Sequence, residues 1–148
     1  MSETSSQTAP QTGIDPRGPQ FAAALTVVVL ILALVLPQPL ALVVTAVQTV
    51  LFAIGAGLGV QRTPHAWLFK RLVRPRLTAP SELEDPAPPR FAQGVGLAFT
   101  VVALVAYILG ATLVAQIALG FALLAAVLNA VFRFCLGCEV YLLIKRFA

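Results

Sequence analysis

The chain reads as an all-α, polytopic membrane protein: four transmembrane helices arranged as two tandem helical-hairpin repeats, with short interfacial helices after each hairpin. Three observations predict this. Four long apolar runs contain no Lys, Arg, Asp or Glu; the bases cluster beside those runs but never in the two short turns; and a mixed polar and aromatic motif recurs at an offset of 70 residues.

Composition sets the class. Of 148 residues, 59% are hydrophobic and 11% charged, with a mean hydropathy of +0.91. A soluble domain carries roughly 25% charged residues, so much of this chain has no water-facing side to decorate. The net charge of +4 could point to nucleic acid, but the bases are not interleaved with stacking aromatics. They flank apolar spans, which favours anionic lipid headgroups and excludes a nucleic-acid partner. Two cysteines are too few for a disulfide-stapled secreted fold.

Residues 1–13 are Ser/Thr/Gln-rich and read as a disordered cytoplasmic tail. Glu3 and Asp15 with a single base, Arg17, do not make the positive n-region of a cleavable signal peptide. The first hairpin repeat covers 14–74, with spans at about 20–36 and 40–60. Pro37-Gln38-Pro39 separates them, because each proline removes an amide donor and clashes with the preceding turn. An interfacial segment follows at 64–73: Thr63 suits an N-cap, Pro64 the first helical position, and Trp67 lies among alternating bases and apolar bulk. Residues 75–84 form a Pro-rich cytoplasmic linker. The second repeat covers 85–148, with spans at about 93–109 and 112–132 and a C-terminal interfacial segment carrying a C-x-x-C. A span needs about 20 apolar residues; the first and third runs are short and must borrow flanking residues.

Orientation follows from the bases. Arg17 precedes the first span; Arg62, Lys70, Arg71, Arg74, Arg76 and Arg90 fall in the central loop; Arg133, Lys145 and Arg146 follow the fourth span. This asymmetry places both termini and the loop on the cytoplasmic side of the cell membrane.

The repeat rests on Asp15-Pro16-x-x-Pro19-x-Phe21-Ala22 matching Asp85-Pro86-x-x-Pro89-x-Phe91-Ala92. Each half crosses twice, so the halves share an orientation and relate by a pseudo-two-fold along the membrane normal.

The chemistry-bearing feature is Cys135-Leu136-Gly137-Cys138-Glu139. Thiols three apart meet in one helical turn, and a C-x-x-C at a helix start has a lowered thiol pKa. Arg133 adds positive charge nearby, whereas Glu139 opposes ionisation. The cytoplasmic side disfavours a permanent structural disulfide, leaving transient thiol–disulfide exchange, metal ligation, or packing of small soft residues. A closed zinc site wants four ligands, and the chain offers Cys135, Cys138, His65 and Glu139, so the metal question stays open. No cofactor is expected. Gln48 and Gln116 lie near corresponding depths in the second and fourth spans, as candidates for an intramembrane polar contact or the lining of a solute path. Gly55 and Gly59 form a G-x-x-x-G face for helix packing, which Ala126 and Ala130 echo in the fourth span. The spans hold no acid or base to relay protons, which argues against a pump.

The segments Gly13-Ile14-Asp15-Pro16-Arg17-Gly18-Pro19-x-Phe21-Ala22-Ala23 and Cys135-Leu136-Gly137-Cys138-Glu139 resemble the domain of unknown function 4395 family of small bacterial, largely actinobacterial, membrane proteins. The resemblance spans nearly the whole chain past the tail. It implies an integral membrane protein without an established activity, points to thioredoxin-like or rhodanese-like proteins as cytoplasmic partners, and carries over no catalytic residues. The leading expectation is a membrane-bound dithiol, with Cys135 attacking and Cys138 resolving. Its rivals are a small-solute or sulfur-compound transporter or channel, and a structural accessory subunit of a membrane complex. The bilayer and a second copy of the chain complete the expected partners.

If the bases set the orientation, reporters after Ala148 and near Ser81 should both read cytoplasm, and one at Gln38 the exterior. Opposite readings at Ala148 and Ser81 would require an odd number of crossings between them.

Overall fold

A segment in hydrocarbon has no water to satisfy its peptide groups and must bond them internally, which favours helices over open strands. The computed structural model describes residues 13–78, 83 and 85–147. Most of the tail and residues 79–82 and 84 of the linker lie outside that range. The described residues are all-helical: α1 (Arg17–Val35), α2 (Leu40–Leu58), a short α3 (Pro64–Leu68), α4 (Ala87–Ile108), α5 (Thr112–Phe132) and α6 (Leu136–Phe147).

Helices α1, α2, α4 and α5 are long and apolar enough to cross a membrane. At 1.5 Å per residue, a 19-residue helix such as α1 runs about 28 Å, close to the thickness of a hydrocarbon core. The fourth helix coincides with its apolar run, and the second begins with its run at Leu40 but stops at Leu58, two residues short of the run's end. The first and third helices start earlier than their runs, at Arg17 and Ala87. The reason is local: Pro19, Pro88 and Pro89 all fall in a first turn, where a missing amide N–H costs nothing. An aspartate starts each of these helices in the same way. Asp15 Oδ1 accepts the Arg17 backbone N–H at 3.0 Å, and Asp85 Oδ1 accepts that of Ala87 at 2.9 Å.

Leu36 ends α1 in an extended conformation (ψ 147°), as the residue before a proline prefers. The Gln38–Pro39 bond in the turn that follows is cis. Gly59, with φ 107°, ends α2. Gly59 therefore supplies a left-handed turn rather than the second step of a helix face, and the expected G-x-x-x-G pair reduces to Gly55. Thr63 caps α3 as expected, its Oγ1 accepting the Ala66 N–H at 3.2 Å. The segment does not continue as one helix to residue 73. It passes through a π turn (Phe69–Val73) into a 3-10 turn (Arg74–Arg76) that contains Pro75.

The four long helices form a ring in which α1 packs against α2 and α5, and α4 packs against the same two. The most extensive contacts are α2 with α4 and α1 with α5. In the first of these seams the helices run antiparallel. A Cβ on Gly96 would lie 2.7 Å from the Phe52 ring, and one on Gly55 would lie 2.8 Å from Cδ of Gln93. That register sets Gln48 opposite Thr100, and both are fully buried.

The burial pattern repeats along the chain. Leu30 and Ala33 of α1 are buried, as are Thr100 and Ala103 of α4; Thr45, Gln48 and Phe52 of α2 are buried, as are Ala115, Ala118 and Ala122 of α5. Each pair stands 70 residues apart. The exterior is the more apolar side, with Val28, Val47, Val102, Ile117 and Phe121 exposed around Thr26, Thr45, Gln48 and Thr100 inside. This inversion suits a lipid surround. Two of the buried hydroxyls are satisfied within their own helices, Thr45 by Ala41 O at 2.8 Å and Thr100 by Gly96 O at 3.1 Å.

Because α1 and α4 start, and α2 and α5 finish, at the same end, all ten Lys and Arg residues gather there. The opposite end, the turns at 36–39 and 109–111, is uncharged.

Candidate functional site

The C-x-x-C is placed by the way α5 stops. Arg133 takes a left-handed conformation (φ 57°), and its N–H still bonds Asn129 O at 3.1 Å. A non-glycine residue there costs about 1–2 kcal/mol, and something must hold it. The Arg133 Nε–H donates to Gln20 Oε1 at 3.0 Å, while the Gln20 amide donates to Ala130 O at 2.9 Å. The end of α5 is thus tied to the start of α1, and the reversed chain leads into α6.

Cys135 is the N-cap of α6. Its carbonyl accepts the first helical bond, from Glu139 N–H at 3.0 Å, and its Sγ accepts the Cys138 N–H at 3.2 Å. A sulfur in that position receives an otherwise unpaired amide together with the positive end of the helix dipole, and both favour thiolate. Cys135 and Cys138 are paired as a disulfide with Cα atoms 5.2 Å apart, inside the range a disulfide requires. Both residues are half-buried. Two expectations about charge divide here. Glu139 does stand in the first turn of α6, where it opposes thiolate. Arg133 is held by Gln20 of α1, so thiolate stabilisation falls to the helix N-terminus rather than to its guanidinium.

Gly137, between the cysteines, is the one buried residue of α6. A Cβ there would lie 2.6 Å from both Cα and Cβ of Ala92 on α4. One turn on, Tyr141 packs against Phe91, ring centroids 5.6 Å apart. The same kind of contact closes the other half, where Phe21 packs against Phe69 at 5.8 Å. The glycine lets α6 lie on the backbone of α4, which holds the cysteine pair at the charged end of the bundle.

The remaining candidates do not join this site. Gln48 is buried with neither end of its carboxamide hydrogen-bonded to the described residues, and Gln116 lies exposed on α5, so no hydrogen bond joins the two. Gly55 is buried against Gln93, as a packing glycine should be. Among the described residues there is no group of three or more His, Cys, Asp or Glu able to hold a metal ion. His65 is half-buried on α3, and desolvation pushes its pKa below the ordinary histidine value.

Sequence reasoning missed a second polar cluster. Asp15 accepts from Arg17 through both carboxylate oxygens, at 3.0 and 2.9 Å, with Arg74 at 3.6 Å. The Arg17 hydrogen bonds hold the Asp15 carboxyl below the usual carboxylate range. The signal was present in the Asp-Pro-Arg run, but Arg74 could be placed only by the fold of the loop.

The Gly137 contact yields a test. Gly137→Ala should destabilise the detergent-purified protein by about 1–3 kcal/mol through overpacking against a backbone that cannot yield. It should also speed proteolysis of the C-terminal segment. Gly57→Ala is the control: a Cβ there meets nothing within 4 Å, and in a helix it should be neutral or mildly stabilising. Equal melting temperatures for the two variants would contradict the close approach.

Comparisons with curated proteins and with solved structures gave no match. One family model does match, over residues 14–146 and so over nearly the whole chain, including the paired aspartate starts, the four long helices and the cysteine-headed α6. The chain belongs to the family described as domain of unknown function (DUF4395).

Proposed function

We propose that this protein is a membrane-bound dithiol–disulfide exchanger, set in the cell membrane with both ends on the cytoplasmic side, whose partner is a thioredoxin-like cytoplasmic protein. The observation that carries the reading is the N-cap placement of Cys135, its sulfur on the Cys138 amide and its Cα 5.2 Å from that of Cys138. A purely packing pair has no need of that geometry.

The exchange balances as follows. With the pair reduced, the Cys135 thiolate attacks a disulfide of the partner, forming a mixed disulfide and expelling one partner thiolate. Cys138 gives up its proton and attacks Cys135 Sγ, closing the pair and expelling the second partner thiolate. Two electrons and two protons pass to the partner, and the reverse sequence reopens the pair at the expense of a partner dithiol. In that reversal a partner thiolate attacks Cys135 Sγ and expels Cys138, and the second partner thiolate then expels Cys135, whose thiolate the helix N-terminus stabilises.

The architecture proposed with this function is two tandem hairpin repeats related by a pseudo-two-fold along the membrane normal. Its support is the shared aspartate starts, the coincident buried positions, and the matched Phe21–Phe69 and Phe91–Tyr141 contacts. We read α3 and α6 as interfacial. Along α6, Leu136, Val140, Leu143, Ile144 and Phe147 leave one apolar face exposed, and Lys145 and Arg146 close the last turn. A helix of this kind lies in the headgroup plane.

One observation favours a second reading. A buried carboxamide without partners costs about 1–3 kcal/mol, and Gln48 is such a group. A polar solute or water passing through the bundle would satisfy it, which is the transporter reading.

The thiols separate the two. In Cys138→Ser, the rate of alkylation against pH should show Cys135 ionising modestly below the free value of about 8.5. The same variant should form a mixed disulfide with a purified thioredoxin that lacks its resolving cysteine and carries thionitrobenzoate on the remaining sulfur, the Cys135 thiolate expelling thionitrobenzoate. Thiols that resist a polar reagent in the native membrane and react only after unfolding would exclude exchange and leave transport as the better account.

A further inference from the structure

A cavity of about 320 Å³ opens at the charged end of the bundle, between α1, the Phe69–Val73 turn and the end of α5. Its polar rim is Arg17, Gln20 and Arg133, and its apolar wall includes Phe21, Phe69 and Val73. Neither the cysteine pair nor any residue of α6 lines it, so it is independent of the thiol chemistry.

Three observations say what it would take. The first is charge. Arg17 and Arg74 share one carboxylate, that of Asp15, and Arg133 has no acid partner among the described salt bridges. Of these three only Arg17 and Arg133 stand on the rim; Arg17 turns Nε and Nη2 to Asp15 and Thr78 O and keeps Nη1 free, so the unpaired Arg133 leaves the rim positive. The second is donor geometry. Arg133 spends only its Nε–H, on Gln20, which orients the side chain and leaves both terminal nitrogens free to donate. A guanidinium so presented fits a phosphate bidentately. The third comes from the opposite half of the molecule. The position 70 residues after Gln20 is Arg90, whose Nε–H and Nη2 bond the terminal carbonyls of α2, Ala56 O at 2.7 Å and Gly57 O. On the α1 side the shorter Gln20 reaches a single carbonyl, Ala130 O, while its own oxygen accepts from Arg133, and at this junction the structure has a cavity.

We infer that this cavity is a binding site for an anionic phospholipid, the phosphate held by Arg133 and Arg17 and the upper acyl chain against Phe21 and Phe69. A soluble phosphate would meet the same arginines but would gain nothing from the aromatic wall. A lipid of the surrounding leaflet presents both chemistries at the depth where the bases of this chain gather.

Trp67 is exposed and does not line the cavity, so bound lipid is read directly as lipid retained per protein by native mass spectrometry, and bound phosphate by equilibrium dialysis. The full-length protein in a non-ionic detergent is titrated with phosphatidylglycerol, with phosphatidylcholine of the same acyl chains, and with inorganic phosphate. Phosphatidylglycerol should saturate the protein at a mole fraction about tenfold lower than phosphatidylcholine, as one charge-assisted pair implies. Inorganic phosphate at millimolar concentration should not be retained. Arg133→Gln should raise the half-saturating phosphatidylglycerol fraction by about tenfold, and Arg146→Gln on α6 should not change it. Ala24→Leu fills the cavity without touching a charge and should match Arg133→Gln, with helicity retained by circular dichroism. Equal responses to the two lipids, equal losses in Arg133→Gln and Arg146→Gln, or full affinity in Ala24→Leu would each overturn the site. Saturation by inorganic phosphate alone would overturn the lipid as its occupant.

Discussion

Two antiparallel seams, α2 against α4 and α1 against α5, hold the bundle together, and the smallness of the residues along them is what lets them close. In lipid there is no hydrophobic driving force between helices, so association rests on close packing and on the few polar groups that meet inside. Gly55 and Gly96 supply the approach on one seam, where any Cβ would drive into Gln93 or Phe52. Ala33, Ala115, Ala118 and Ala122 supply it on the other. The rest of the molecule depends on these two contacts, because they bring the start of α4 to the end of α2 and the start of α1 to the end of α5. Only then can Arg90 cap α2 and Gln20 reach the end of α5.

That exchange of caps is also what builds the cysteine site. Gln20 holds Arg133, Arg133 turns the chain in a left-handed step, and the reversed chain presents Cys135 as the first residue of a new helix. Gly137 then lets this helix rest on α4. The thiol environment is therefore made by the backbone, through a helix start pressed against another helix, more than by charged side chains. Glu139, in the first turn of α6, works against it.

Much of the architecture was legible in the sequence, for a physical reason: hydrocarbon tolerates so few side chains and so little free backbone that uncharged runs and prolines nearly dictate the spans. The helix starts at Arg17 and Ala87 were harder to read, since a proline ends one helix and opens another, and only the aspartate two residues earlier distinguishes the cases. The C-x-x-C at a helix start was readable from its spacing. The facing of Gln48 and Gln116 was not. A spanning helix is apolar all round, so no periodicity marks its inner face, and two glutamines at similar depth can point to core and lipid respectively. The Arg17–Asp15–Arg74 cluster and the cavity beside it depend on where a loop folds back, which local sequence does not encode.

The central claim, that the cysteine pair cycles rather than merely packs, is tested most directly by its reduction potential in the detergent-purified protein, measured by equilibration with glutathione or dithiothreitol buffers. A pair that exchanges with a thioredoxin-like protein should have a potential within roughly 50 mV of the thioredoxin value of about −270 mV, on the less reducing side, since an N-cap thiolate stabilises the reduced form. A potential well below about −300 mV, the range of structural disulfides, or a pair that will not re-form under any buffer, would contradict the account.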